Sequence, residues 1–462
     1  MNHSVRNKLF VMMILEIAIW GAWLPLIFTY LPSLGFNVAE QAWILNAFAV
    51  SAIVAMFFSN QFVDRMFAAE KFMAFSHLVG GAAMIGLFFI TAPDVPASEL
   101  TAAAAATGPV GKSPIFWSFF GLMLVHCLFF VPTLSIANTI AFTHLQDAKK
   151  EYGFVRMGGT LGWILVAWPF IFILVDWTKI NSGNHEGTVA WLGAIFDPKN
   201  ALPPSSYKAT LLVSGIISIL LAGFSLTLPH TPPKPAQGKS FAWLEALKLL
   251  AKPAILVLFV VTFLDAFVHN LYFAWTGTFL GIPVEKGGVG IAGNWVMPAM
   301  TIGQVAELLT MAILGLVLKK LGWRWTMILG ILGHAVRFGV YATMAHSQAA
   351  IIGVQILHGI CYAFFFATLY IFIDEHLPKD IRTSTQGLFN MLVFGLGPLA
   401  SYYWGPSLKA QFTSGSGDAA TVAWDKLFLI PCGAALAAAV LLAIAFHPPK
   451  IEGPVGAAAP PH

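Results

Sequence analysis

The stretch from Val296 to Leu318 is as long as a membrane-crossing helix and carries side chains that could bind a solute or a proton. Thr301, Gln304 and Glu307 follow at three-residue steps, so a helix places them near one face. A carboxylate at this depth costs roughly 2.5–3.5 kcal/mol on insertion scales, so such residues usually face a bundle interior or a water-filled cavity. We expect this face to border a polar pathway. The alternative is a packing hydrogen bond through Gln304, with Glu307 protonated and inert.

Two other apolar stretches also place an ionisable group beside a polar or aromatic side chain. Glu16 shares a helical stripe with Trp20, which predicts either a pocket wall or ordinary aromatic packing. Asp265 and His269 are one helical turn apart and could share a proton or a hydrogen bond. Together with Glu307, the acids Glu16 and Asp265 are the candidates for a proton-coupling group.

Basic, amide and aromatic side chains in further apolar stretches are candidates for binding a polar solute. Arg156 and Thr160 lie one turn apart, and a guanidinium offers a fork of donors to a solute or a partner to Glu307; Arg156 could also simply mark the end of its helix. The Asn270 amide can donate one hydrogen bond and accept another along one edge of a solute, and Phe273 can stack on a ring of the solute. The predicted solute-binding residues are Arg156, Thr160, Asn270, Phe273, Gln304, Glu307, His358 and Tyr362.

These side chains require many apolar helices to position them, and the composition predicts such helices. Of the 462 residues, 58% are hydrophobic and 10% are charged. Soluble domains carry about 25% charged residues, so the sequence predicts an integral membrane protein. Apolar runs predict twelve spans, near 9–31, 41–62, 70–92, 115–140, 154–176, 208–229, 253–281, 295–318, 325–345, 349–373, 386–407 and 425–446. The first run has no small-residue cleavage site and is expected to remain as span 1.

Lysine and arginine are distributed unevenly over the connections between the spans. Counted from a cytoplasmic N-terminus, 17 of the 25 lie in one set of connections and 7 in the other, with Arg337 inside a span. This bias predicts that both termini are cytoplasmic. Three exterior connections, 93–114, 177–207 and 408–424, are expected to be flexible. We expect Arg337 to pair with a neighbouring helix or to extend to the membrane surface.

The connection between spans 6 and 7 divides the chain into two sets of six. We predict an N-terminal six-helix bundle at 1–230, a linker at 231–252, a C-terminal six-helix bundle at 253–448 and a cytoplasmic tail at 449–462. Within the linker, 241–250 is either a short interfacial helix or a spacer. Two six-helix halves with both ends on one side suggest the all-α major facilitator architecture, with a cavity between the halves. Basic turns in corresponding places support the repeat, at Asp64, Arg65 and Lys71 and at Lys319, Lys320 and Arg324.

Over nearly its whole length the sequence resembles the nucleoside:proton symporters of the major facilitator superfamily. The motifs that carry the resemblance are Trp20-Gly21-x-Trp23, Pro132-Thr133-Leu134, Asn138-Thr139-Ile140, Arg156 with Gly159-Thr160, 226–230, Gln304-x-x-Glu307, Arg337 and Ile381-Arg382-x-Ser384-x-Gln386-Gly387. The resemblance implies proton-driven nucleoside uptake across a bacterial inner membrane by alternating access. It places the substrate between Arg156 and Thr160 of one half and Gln304 and Glu307 of the other. We expect a monomer in the lipid bilayer that binds nucleoside and protons, without nucleic acid, cofactor or metal.

The sequence departs from the family pattern on two helices. Asn270 and Phe273 stand where the family presents a glutamine and an asparagine, while the helix-10 tyrosine, phenylalanine and aspartate become His358, Tyr362 and Ala363. Three alternatives therefore stay open. They are transport of a sugar, a nucleobase or another small polar metabolite, uniport of nucleosides without a proton, and a membrane-embedded enzyme that uses Asp265 and His269. The enzyme alternative lacks a metal-ligand cluster or nucleophile motif, so we expect no enzymatic activity.

Overall fold

Long apolar helices account for most of the chain. The computed structural model describes residues 3–58, 66–146, 148–183, 185–233, 247–377, 379–415 and 419–447. The N-terminal half contains six long helices, which are α1 His3–Ser33, α2 Val38–Phe58, α3 Ala69–Phe88, α4 Phe116–His144, α5 Ala148–Ala167 and α6 Lys208–Ser225. The C-terminal half contains α7 Pro253–Gly281, α8 and α9 within Val296–Thr343, α10 Gln348–His376, α11 at 379–411 and α12 Leu429–Ala445.

Gly322 separates α8 from α9 inside one continuous run of hydrogen bonds. Its φ of 71° and ψ of 174° are non-helical, and this backbone region is open to glycine because it has no Cβ. In the described part of the chain, ten helices are long and apolar enough to cross a membrane, counting Gly293–Thr343 once and leaving out α11. With α8 and α9 taken separately and α11 added, each predicted span corresponds to one helix.

Two of the cavity-forming helices contain a π-helical turn. Tyr362–Ala367 forms one in α10, and Met391–Leu396 forms one in α11. Such turns shift the register of the side chains that follow and are frequent at functional sites. Here each turn contributes side chains to the cavity described below.

Each half packs as a bundle, and the two halves meet along three helix pairs. In the N-terminal half α1 packs against α5 and α6, and α3 against α4 and α6. In the C-terminal half α7 packs against α11 and α12, and α8 and α9 pack against α10. Between the halves, α1 contacts α7, α2 contacts α11, and α5 contacts α8. The sides of these helices that face the other half therefore enclose the centre of the molecule.

The connections expected to be flexible contain ordered elements, which corrects that expectation. Short helices lie within them at Ala97–Ala105, Trp177–Ser182 and Thr188–Phe196, with 3-10 turns at Pro198–Asn200 and Pro204–Tyr207. Further short elements at the same end are the helices Phe170–Ile173 and Trp424–Leu427 and the 3-10 turns Val284–Lys286 and Gly293–Trp295, whereas the 3-10 turn Leu249–Ala251 belongs to the linker at the opposite end. Strands β1 Thr413–Ser414 and β2 Thr421–Val422 pair antiparallel. Asp176 caps one short helix by accepting from the backbone N–H groups of Thr178 and Lys179. We call this end of the bundle the loop end, and the opposite end, where α1 begins and α12 finishes, the terminal end.

Several sequence predictions concern residues outside the described ranges. Asp64 and Arg65 of the first basic turn, positions 241–246 of the predicted interfacial helix and the tail at 449–462 belong to this group. The division into domains at 230, 252 and 448 remains a prediction.

Candidate functional site

A cavity of about 330 Å³ lies between the two halves. This volume falls within the range of about 300–1,000 Å³ that is usual for small-molecule sites. Its walls come from α1, α2, α4 and α5 of one half and from α7, α8, α10 and α11 of the other. The structure places all eight predicted solute-binding residues in these walls, namely Arg156, Thr160, Asn270, Phe273, Gln304, Glu307, His358 and Tyr362.

Two polar contacts join α5 to the C-terminal half across the cavity. The Thr160 hydroxyl hydrogen-bonds to the Glu307 carboxylate, and the Arg156 guanidinium hydrogen-bonds to the Tyr362 hydroxyl. Arg156 also lies close enough to Glu307 for their charges to attract. A cation and a carboxylate from opposite halves thus share one chamber, where a polar solute could contact both.

Close packing of α8 against α10 positions two of these side chains. A Cβ added to Gly359 would meet the backbone of Ala306 and Glu307, and one added to Gly303 would meet His358. Small residues let two membrane helices approach this closely. The tight contact holds Glu307 and His358 beside each other in the cavity wall.

Some polar atoms of the cavity wall already have a hydrogen-bond partner within the protein, and others have none among the described residues. Trp20 Nε1 and Gln304 Oε1 are buried and have no hydrogen-bond partner among the described residues. Asn270 is engaged, because its Oδ1 accepts from the Tyr402 hydroxyl at 2.9 Å and its Nδ2 donates to the Ala266 carbonyl at 2.8 Å. The indole N–H and the Gln304 carbonyl oxygen are therefore a donor and an acceptor in the cavity wall that lack a protein partner among the described residues.

Aromatic rings form much of the remaining wall. Trp20 stacks on Phe48 with ring centres 4.8 Å apart, and Trp163 packs against Phe273 at 5.7 Å. All four rings border the cavity. Flat apolar faces beside a few polar groups suit a ligand that combines a planar ring with hydroxyl groups.

A fully buried polar cluster lies behind the C-terminal wall and is centred on Arg337. The guanidinium donates to Nδ1 of His358 at 3.0 Å and to Nδ1 of His334 at 2.8 Å. It also lies 4.0 Å from the ring centre of Tyr272. His334 Nε2 is 3.7 Å from Asp265 Oδ1. Of the two roles expected for Arg337, the structure shows pairing with a neighbouring helix rather than extension to the surface.

The predicted pairing of Asp265 with His269 was wrong. Neither Asp265 oxygen nor His269 Nδ1 has a hydrogen-bond partner within the described ranges. Asp265 is fully buried and approaches α9, whereas His269 borders the cavity and stacks on His358 at 5.0 Å. The helical spacing brought the two residues one turn apart but did not determine which neighbouring helix each one faces.

Glu16 borders the cavity and ties four helices of the N-terminal half together. Its carboxylate accepts from the Thr133 hydroxyl at 2.7 Å and lies 2.8 Å from His77 Nε2. His77 Nδ1 in turn lies 3.2 Å from Ser218 Oγ. His77 was not among the site residues predicted from the sequence. The available signal was a histidine in span 3 matched by His334 in span 9, which only a comparison of the two halves reveals.

The halves close against each other at the loop end. Thr29 and Thr278 share a hydrogen bond of 2.8 Å between their hydroxyls, and Asn294 Nδ2 donates to the carbonyls of Ile171 and Ile195 at 2.9 and 3.0 Å. The cavity lining continues toward the terminal end with Ala55, Asn138 and Gly387. The cavity is thus shut at the loop end and extends toward the terminal end.

Comparison with known protein families gives a match along almost the whole chain. The family described as nucleoside H⁺ symporter matches residues 1–196 and 185–451. “Putative nucleoside transporter YegT” of Escherichia coli (strain K12) is 29% identical over 86% of this chain and 83% of the relative. Xanthosine permease of the same organism is 22% identical over 97% of this chain and 98% of the relative.

Solved structures show the same fold. A crystal structure of nucleoside transporter NupG superimposes with a TM-score of 0.73 at 20% identity, covering 96% of this chain and 99% of that one. A D-xylose–proton symporter superimposes with a TM-score of 0.64 at 14% identity, covering 96% and 98%. The fold is that of the major facilitator transporters, which confirms the expected fold class.

Proposed function

The chain belongs to the nucleoside H⁺ symporter family, and we propose that it carries a nucleoside together with a proton across the membrane by alternating access. The observation that best supports this proposal is the cavity between the halves. It combines aromatic faces with a donor and an acceptor that have no partner among the described residues, and with the Arg156–Glu307 pair contributed by opposite halves. The planar base of a nucleoside matches the aromatic faces, and its ribose hydroxyls match the polar groups.

Within this proposal each wall of the cavity has its own task. Trp20 and Phe273 stack on the base, and Gln304 accepts from a base or sugar donor. Arg156 and Glu307 bind ribose hydroxyls from opposite sides, so the bound substrate links the two halves. Because charge-assisted hydrogen bonds are about twice as strong as neutral ones, these two residues supply most of the polar affinity.

Glu307 is the leading candidate for the acid that takes up the transported proton. It faces the substrate space and lies near a permanent cation, so its charge state changes both substrate binding and the attraction between α5 and α8. Proton uptake by Glu307 would remove that attraction at the moment the cavity is filled. Rocking of one half against the other would then be easier.

We also propose an inner-membrane protein with both termini in the cytoplasm, acting as a monomer. The bias of 17 basic residues against 7 supports this orientation. In that orientation the loop end faces outward, so the closed contacts at Thr29, Thr278 and Asn294 correspond to an inward-facing state.

Uptake by purified protein in proteoliposomes tests the proposal. With an inward proton gradient, labelled uridine or adenosine should accumulate above its equilibrium level, and dissipating the gradient should abolish accumulation. Exchange of nucleoside without any response to the gradient would instead identify a uniporter. Absence of both would refute nucleoside transport.

Ala363 and Phe273 favour testing other cargo in parallel, since both replace residues expected from the family pattern. A thermal-shift screen across nucleosides, nucleobases and sugars separates these ligands, because a ligand that binds the folded state raises its stability by mass action. Stabilisation by a sugar or a nucleobase alone would reassign the cargo while leaving the transporter class in place.

A further inference from the structure

Each half of the protein contains a set of one buried acid and two buried histidines that lie on corresponding helices. The N-terminal set is Glu16 on α1, His77 on α3 and His126 on α4, and the C-terminal set is Asp265 on α7, His334 on α9 and His358 on α10. In a chain of two repeated six-helix halves, α7, α9 and α10 are the counterparts of α1, α3 and α4. In both halves the acid approaches the first histidine, with Glu16 at 2.8 Å from His77 and Asp265 at 3.7 Å from His334.

The two sets differ at one corresponding position. Three residues after His77 the chain has Gly80, and three residues after His334 it has Arg337. The second histidine of each set contacts that position through Nδ1. His126 Nδ1 lies 3.1 Å from the Gly80 carbonyl oxygen, while His358 Nδ1 lies 3.0 Å from Arg337 Nη1. The N-terminal set thus has a backbone acceptor where the C-terminal set has a permanent cation.

Arg337 prevents its two histidines from taking up a proton. A guanidinium only donates hydrogen bonds, so Nδ1 of both His334 and His358 must accept and must be unprotonated. Both rings are therefore neutral, with their proton on Nε2. Protonation of either ring would break a hydrogen bond of a fully buried cation. The two histidines of the C-terminal set are therefore fixed in one protonation state.

The N-terminal set can exist in two protonation states with the same heavy-atom positions. Ser218 Oγ lies 2.9 Å from the His77 carbonyl oxygen and 3.2 Å from His77 Nδ1, but it has only one proton to donate. If Ser218 donates to the carbonyl oxygen, its Oγ can only accept from the His77 ring, so His77 Nδ1 carries a proton. The 2.8 Å contact between His77 Nε2 and the Glu16 carboxyl oxygen then needs a second proton, on either the nitrogen or the oxygen. If Ser218 donates to Nδ1, the ring carries its proton on Nε2 and donates it to an ionised Glu16. The two states differ by one proton.

Glu16 connects this pair to the cavity, because it forms part of the cavity wall. The titratable and charged groups that face it come from the helices packed around α1. They are His77 on α3 and His126 on α4, while α4 and α6 add the hydroxyls of Thr133 and Ser218. Arg156 on α5 and His269 on α7 border the same cavity, so an ionised Glu16 shares the chamber with one permanent cation.

We propose that Glu16 and His77 form a proton-binding site in the N-terminal half, separate from Glu307, and that the Ser218 hydroxyl reorients when the proton enters or leaves. The assignment of this proton to the transport cycle rests on the proposed symport. The existence of the site does not, because it follows from the hydrogen bonds within the N-terminal half.

Infrared difference spectra of the full-length protein in lipid vesicles, recorded as the pH is changed, test the site directly. The unmodified protein should show a carboxylic acid or imidazolium band that titrates, and Glu16→Gln should lose that band. Ser218→Ala should shift its midpoint. Ser214→Ala is the matched control on the same helix, since its hydroxyl donates only to the Ile19 carbonyl, at 2.8 Å, and it should leave the band unchanged. An identical titration in Glu16→Gln would overturn the proposal.

Transport measurements then decide whether this proton is coupled to the substrate. In proteoliposomes, Glu16→Gln should reduce gradient-driven accumulation at least tenfold more than it reduces nucleoside counterflow. Accumulation equal to that of the unmodified protein would overturn the coupling role. If the unmodified protein exchanges no nucleoside, the proposed function fails, while the infrared result still decides whether the site exists.

Discussion

Arg337 and Asp265 are both fully buried, and the His334 ring lies between the guanidinium of Arg337 and the carboxyl group of Asp265. Replacing one member, by Arg337→Gln or Asp265→Asn, leaves the other charge uncompensated, which costs about 3–5 kcal/mol. Two unit charges separated by one imidazole ring attract by about 2 kcal/mol at an effective dielectric constant of about 20. The double variant should therefore be more stable, by about 2 kcal/mol, than the sum of the single effects predicts.

Thermal unfolding in detergent or lipid, followed for all four members of this double-mutant cycle, measures the coupling. Lys320→Gln serves as the control because Lys320 is an exposed cation near the end of α8, and it should change stability by less than about 0.5 kcal/mol. Strictly additive losses in the double variant would show that Arg337 and Asp265 do not compensate each other. The structural reasoning about the C-terminal cluster would then be refuted.

Three further substitutions probe the cavity. Glu307→Gln should lower nucleoside affinity about 10–100-fold, because it removes a charge-assisted hydrogen bond worth about 1.5–3 kcal/mol; unchanged gradient-driven uptake would exclude Glu307 as the coupling acid. Arg156→Lys keeps the charge but loses the planar fork, so binding measured by calorimetry should weaken about tenfold and not recover at higher pH. Gly359→Ala should destabilise the protein by about 1–3 kcal/mol, since the added methyl group meets the Glu307 backbone. Gly353→Ala on the same helix meets open space and should be tolerated.

The helices and the polar face of α8 could be predicted because the bilayer imposes strong constraints on sequence. A span needs about twenty apolar residues, which located each helix with its ends displaced by up to nine residues. A carboxylate in such a span is costly unless it faces a polar space, which singled out Gln304 and Glu307. Both side chains border the cavity. These inferences required only properties of single helices.

Contacts between helices could not be obtained in the same way. His77 pairs with Glu16 across 61 positions of sequence, and nothing in its own apolar stretch indicates that partner. Asp265 and His269 illustrate the converse, since neighbours on one helix surface can face different helices. The ordered loop end was also missed, because its docking depends on Asn294 reaching backbone carbonyls more than 90 residues away in sequence.

The distribution of charge between the halves suggests how one proton can govern both binding and movement. Arg156 and Glu307 attract each other across the α5–α8 contact, so an ionised Glu307 resists separation of the halves on that side. Among the described residues Glu16 makes its hydrogen bonds within the N-terminal half, so its protonation changes the charge of the chamber without breaking a contact between the halves. A proton on Glu16 leaves the attraction between Arg156 and Glu307 in place until substrate hydroxyls replace it. In such an arrangement a proton on Glu16 alone does not release the halves, because movement requires the substrate as well. This requirement couples the two and prevents protons from crossing without substrate.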